Sequence, residues 1–158
     1  QLNDKNLVFQ EAKNDTANFK VASLKKYVVK LDSLQLKQVQ SYLKKLIGSD
    51  FDSTKKTMIH LYRKNGKKIN EDASYDKYWS WIQTNSKKYQ AFLIGNQYSA
   101  VKENKENHIL YDSENFFETI FFNKSVFEIN HILIKPSGDI YVFYGRDEIL
   151  YVLDSAVD

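Results

Sequence analysis

The chain has 158 residues, enough for one domain whose core needs neither a disulfide nor a metal. Hydrophobic residues make up 42% and aromatic rings 15%, with 11 Tyr and 10 Phe, which excludes a disordered chain. Lys and Arg number 23 against 20 Asp and Glu, a net charge of +3, and no apolar run approaches the ~18 residues of a membrane helix, so neither a polyanion-binding surface nor a bilayer span is expected.

Chain order gives the elements. Leu7-Val8-Phe9 has the length of a short strand, and Phe19, Val21, Leu24, Tyr27, Val28 and Leu31 fit a helical face. Asp32 and Gln35 have capping-box spacing, Leu36, Val39, Leu43, Leu46 and Ile47 follow at steps of three and four, and Gly48 supplies the stop. These signals predict a helix over 33–47, with Lys37, Lys44 and Lys45 on its solvated face.

From Thr57 the pattern becomes that of an α/β core. Met58-Ile59-His60-Leu61-Tyr62 predicts a buried strand, and Lys64-Asn65-Gly66-Lys67 a turn. Ser74 is placed to cap a helix whose buried face carries Tyr75, Tyr78, Trp79, Ile82 and Tyr89, and Ala91–Ile94 predicts a second buried strand parallel to the first. A polar loop over 97–107 leads to a short strand at 109–111 and a helix over 114–123, capped by Asp112 or Ser113. Strands over 129–135 and 140–144 flank Pro136-Ser137-Gly138-Asp139, a hairpin turn, and 147–154 closes the chain as a helix or short strand. The strand near 129–135 is expected to lie antiparallel to the one near 57–63.

Residues 57–154 thus read β-α-β-α-β-β-α. This succession, with the hairpin Asn130-His131-Ile132-Leu133-Ile134-Lys135-Pro136-Ser137-Gly138-Asp139-Ile140-Tyr141, resembles the thioredoxin-like fold. The resemblance implies an α/β domain with a mixed sheet over 57–158, carrying residues 1–56 as an N-terminal helical extension packed on it, one domain overall. That family uses a Cys-x-x-Cys after the first core strand and a cis-proline before the hairpin. Here the first region is Arg63-Lys64-Asn65-Gly66-Lys67-Lys68, the second is Phe127-Glu128-Ile129-Asn130, and no cysteine occurs anywhere. Thiol–disulfide exchange needs an attacking thiolate and a resolving thiol, so that chemistry is excluded and no catalytic residue carries over.

Other chemistry finds little support. His60, His108 and His131 are widely spaced, and a one-step register offset would turn His60 and His131 to opposite faces of the sheet, so no metal site is expected. Glu114 and Glu118 are one helical turn apart, a spacing that usually marks a solvated helix surface. No nucleophile elbow or phosphate-cradling glycine loop is present. The expectation is a non-catalytic exported accessory or protein-binding protein, such as a subunit of an envelope-associated complex, with no cofactor.

A protein partner is expected on two sets of residues. Trp81 and either Phe117 or Phe122 are surplus to one buried helix face and suit apolar anchors. Arg63, Lys64 and Asn65 on one loop, with Glu128 and Asn130 on another, would meet at the edge where thioredoxin-like proteins receive substrates. One alternative is single-stranded nucleic acid on lysines interleaved with tyrosines; mixed-in acids and only two arginines, Arg63 and Arg146, speak against it. Another is a small-molecule carrier with an aromatic-lined pocket. The chain starts at Gln1, the kind of residue that signal-peptide removal leaves, so the expected location is periplasmic or secreted, with the cytoplasm as the alternative.

Overall fold

The computed structural model describes residues 8–13, 18–23, 27–64, 66–99, 101–123, 125, 127–145 and 148–156. In chain order these form β1 (Val8–Lys13), β2 (Asn18–Ser23), β3 (Tyr27–Lys30), α1 (Ser33–Ile47), β4 (Lys56–Tyr62), α2 (Gly66–Ala73) and α3 (Asp76–Thr84). There follow β5 (Tyr89–Gly95), a 3₁₀ turn (Lys105–Asn107), β6 (Ile109–Tyr111), α4 (Phe116–Phe121), β7 (Ile129–Ile134), β8 (Asp139–Tyr144) and α5 (Ile149–Ala156).

The main sheet has six strands in the order β3-β8-β7-β4-β5-β6. β5 runs parallel to β4, and β7 antiparallel to it, as the apolar runs predict. Every residue of β5 and β7 is buried, which is why these strands read as unbroken hydrophobic segments rather than alternating ones. Helices cover both faces. Val39, Leu43 and Ile47 of α1 and Phe117 and Phe121 of α4 pack on Ile59, Phe92, Ile132 and Val142. On the opposite face Tyr78 and Ile82 of α3, with Ile149, Val152 and Leu153 of α5, pack on Met58, Ala91, Leu133 and Phe143. Each such aliphatic side chain contributes roughly 1.5–3 kcal/mol by burial.

Local signals held where they were complete. α1 begins with the capping box: Gln35 N–H donates to Asp32 Oδ1 at 2.8 Å and Asp32 N–H to Gln35 Oε1 at 3.0 Å. The hairpin between β7 and β8 closes at Gly138, whose φ of 93° lies in the left-handed region and whose carbonyl also accepts from Leu31 N–H at 2.9 Å.

Three expectations are corrected. Residues 18–23 and 27–30 are strands, not a helical face, and β1 and β2 pair as an antiparallel hairpin. β3 joins the main sheet as an edge strand beside β8, so the N-terminal part is more than a helical extension; Leu7 and Leu24 lie outside the described residues. Gly66 starts a helix, α2, rather than ending a turn. An added Cβ there would lie 2.2 Å from the Ser99 carbonyl oxygen, so glycine is needed for close approach. Ser74 accordingly finishes α2, its hydroxyl donating to the Asn70 and Glu71 carbonyls, instead of capping α3.

Candidate functional site

The edge at the C-terminal end of β4 does gather Arg63, Glu128 and Asn130. Arg63 N–H donates to the Glu128 carbonyl at 3.0 Å. The Arg63 guanidinium turns inward, with Nε 2.9 Å from Glu118 Oε2 and Nη2 donating to the Phe122 carbonyl at 3.0 Å. Asn130 is fully buried and its Oδ1 accepts from Ser125 Oγ. Lys64 is exposed, and Asn65 lies outside the described residues. Arg63 and Asn130 thus spend their polar groups within this edge, while the Oε1 of Glu118 is buried without a hydrogen-bond partner. Glu118 is not a solvated helix acid: burial raises its carboxyl above the usual range, and Arg63 pulls the other way.

The proposed aromatic anchors are corrected. Phe117 and Phe122 are 0% and 1% exposed. Tyr42 of α1 takes up part of the surplus, with Phe116 stacked on it and Phe117 edge-on to it at 5.9 Å, while Phe122 stands edge-on to Tyr144 of β8 at 5.2 Å. Trp81 is half-buried and edge-on to Tyr89 at 4.9 Å, part of the packing beneath α3.

The histidine register is also corrected. His60 and His131 are directly cross-strand, so both point to one face. Both are fully buried, with Nδ1 atoms 2.7 Å apart, and His60 Nε2 is hydrogen-bonded to Tyr78 Oη. One Nδ1 must donate and the other accept, which fixes complementary tautomers. Two nitrogens this close leave no space for an ion bonded to both at about 2.0–2.1 Å each in tetrahedral geometry. Among the described residues no group of three His, Asp or Glu side chains is placed to hold a metal.

This cluster makes stability pH-dependent. Burial, then His131, holds His60 well below its ordinary value, so the folded state keeps it neutral while the unfolded chain protonates it below about pH 6.5. Stability from this group is complete above that pH and falls as pH drops toward the folded value, by up to ~1.4 kcal/mol per unit. His108, lowered by burial, acts with the same sign; Asp72 and Glu118, raised by burial, act oppositely, adding stability as pH falls through their raised folded values. Urea unfolding at pH 7.5 and 5.5 should show a loss of at least ~1 kcal/mol at the lower pH. A flat profile would mean that His60 charges inside the fold.

A third place is a true concavity. β6 pairs only with Leu93–Gly95, so the first half of β5 has no strand on that side. There a cleft of about 530 Å³ opens, bounded by α3, the C-terminal end of α1, β5 and the 3₁₀ turn. Trp79, Ile82, Phe92 and Leu110 give it apolar walls, and Asp50, Lys55, Lys105 and Glu106 stand at its polar rim.

His108 orders this cleft. Its backbone is left-handed at φ 61°, which ends the 3₁₀ turn and swings the ring inward. The ring stacks on Trp79 at 4.5 Å and 17°, and donates to the Ala91 backbone. Trp79 is itself anchored by Nε1–H donating to the Asp72 carbonyl at 2.8 Å. Sequence reasoning placed Trp79 on a buried face and assigned His108 no role; their separation in the chain gave no signal of the pairing.

No family model, curated protein or solved structure matches the chain.

Proposed function

We propose that this chain is a non-catalytic binding protein, a thioredoxin-like core without thiols that receives its partner in the cleft beside Trp79 and His108. The parallel β4–β5 pair, with the β7–β8 hairpin antiparallel alongside β4, supports the thioredoxin-like reading. The observation that carries the binding reading is the cleft itself. About 530 Å³ lies within the range of ligand sites, and aromatic walls under a small set of polar groups are what such sites use. By contrast, the Arg63 guanidinium is already committed to Glu118 and the Phe122 carbonyl, and the His60–His131 pair has no exposed surface.

The test uses soluble aromatic fragments, indole and phenol derivatives, titrated into ¹⁵N-labelled protein. The expected result is movement of the Trp79 indole N–H and the His108 amide, at millimolar affinity, with the effect lost in Gln83→Trp. That substitution places a ring in the cleft from an exposed position on α3. Shifts confined to other surfaces, or no shifts, would overturn the assignment of the cleft.

A further inference from the structure

Two acceptors near Arg63 find no donor among the described residues. Glu118 Oε2 lies 2.9 Å from Arg63 Nε, but Glu118 Oε1 and Asn115 Oδ1 are both closed off from solvent without a hydrogen-bond partner. Both residues line one small cavity between the C-terminal ends of β4 and β5 and the start of α4. That cavity shares no lining residue with the Trp79–His108 cleft, so what it holds is independent of the cleft's role.

The sequence explains why this pair faces inward. Asn115 precedes α4 and Glu118 is its third residue, the spacing of a capping box. Yet Asn115 has a left-handed backbone at φ 51° and makes no side-chain cap bond. Asp112 does that work instead, its carboxylate accepting from the Glu114 N–H at 3.1 Å and the Phe116 N–H at 2.9 Å, as well as from Tyr42 Oη. Relieved of capping, the asparagine and the glutamate turn their free oxygens to the cavity. Tyr62, also on its wall, spends its hydroxyl hydrogen on Asp72 at 2.6 Å. An enclosed acceptor without a donor has lost its hydration and gained nothing in exchange. Two such acceptors on one cavity call for a guest that donates twice.

Size and access select that guest. The cavity measures about 10 Å³, against the ~10–15 Å³ that one water requires. Its acceptors are closed off, so a partner's side chain does not reach them while α4 stays in place. A calcium ion would need six to eight oxygens, and both oxygens of Asp112 are already taken by N–H and O–H donors. We infer that this cavity is the binding site of a single internal water. It donates one hydrogen to Glu118 Oε1 and the other to Asn115 Oδ1, forming a water-bridged version of the capping box. The bridge pins the left-handed turn before α4 to the helix's first turn, a useful tie for a helix of only six residues.

A high-resolution crystal structure of the full chain tests this directly. The expected result is one solvent peak within ~2.7–3.2 Å of both Glu118 Oε1 and Asn115 Oδ1, with two to four polar neighbours. Three results would each overturn it: a cavity without density, an Asn115 amide turned so that Nδ2 donates straight to Glu118, or a peak ringed by six or more oxygens at ~2.3–2.6 Å, which is a metal ion. In solution, ¹⁷O relaxation dispersion of the full chain should detect a long-lived internal water. Its residence time should fall by about tenfold or more in Asn115→Gly, which removes one acceptor while glycine keeps the left-handed turn. Unchanged dispersion in the folded variant would also overturn the assignment. Should Asn115→Gly not fold, the crystal structure of the unchanged chain decides alone.

Discussion

Phe117→Ala is expected to destabilise the fold by about 3–5 kcal/mol, the range for removing a buried ring from a core that closes only in part around the gap. Phe117 is fully buried at the junction of α4, α1 and the sheet, edge-on to Phe116 at 5.1 Å as well as to Tyr42. α4 has only six residues and cannot hold its place through its own hydrogen bonds. It depends on Phe117 and Phe121 below and on Phe116 stacked against Tyr42 at 4.2 Å beside it. Urea unfolding should show a large drop in midpoint with little change in slope. A loss below ~1 kcal/mol, accompanied by loss of partner binding, would instead restore Phe117 to the surface role first considered for it.

What the sequence made legible follows from how far each signal reaches. α1 was readable to its caps because its box, its apolar spacing and Gly48 all lie within seventeen residues of one another. β4, β5 and the β7–β8 hairpin were readable because strands buried on both faces stay apolar throughout. β3 was not. Tyr27 and Val29 turn inward and Val28 and Lys30 outward only in relation to β8, a strand near the other end of the chain. α2 buries just Ile69 and Asp72, too few to make a periodic face, and its glycine answers to the Ser99 backbone rather than to a turn.

The sites were less legible still, for the same reason. Whether His60 and His131 share a face is decided by a register between strands some seventy residues apart, and one step changes the answer. The cleft exists because β6 is short and His108 turns left-handed, neither of which leaves a mark in composition. Surplus aromatics near 116–122 suggested a surface, but the surplus was taken up by Tyr42 of α1 and Tyr144 of β8, whose packing the helix's own pattern does not record.

Arg63→Ala is expected to cost about 2–3 kcal/mol at pH 7.5, somewhat less than breaking a fully buried pair because Arg63 keeps a quarter of its side chain in solvent. The substitution leaves the Glu118 carboxylate 14% exposed with its cation gone, and takes the Nη2 donor away from the Phe122 carbonyl. Glu118 is already raised by burial against the pull of Arg63, so its folded value should climb further in the variant. A carboxyl whose folded value is raised binds its proton more tightly in the folded state, so the variant's deficit should be fullest at neutral pH and shrink as pH falls through that value. Glu118→Gln added to Arg63→Ala should recover part of the loss at pH 7.5, since the buried charge is then absent and only the hydrogen bonds remain broken. Equal losses at pH 7.5 and pH 5, with no recovery in the double variant, would show that Glu118 stays charged and solvated after Arg63 is removed. Because neither Arg63 nor Glu118 lines the Trp79–His108 cleft, folded Arg63→Ala should still bind the cleft's fragments with unchanged affinity. A loss of that binding without a loss of stability would move the partner surface back to the edge at Arg63, Glu128 and Asn130.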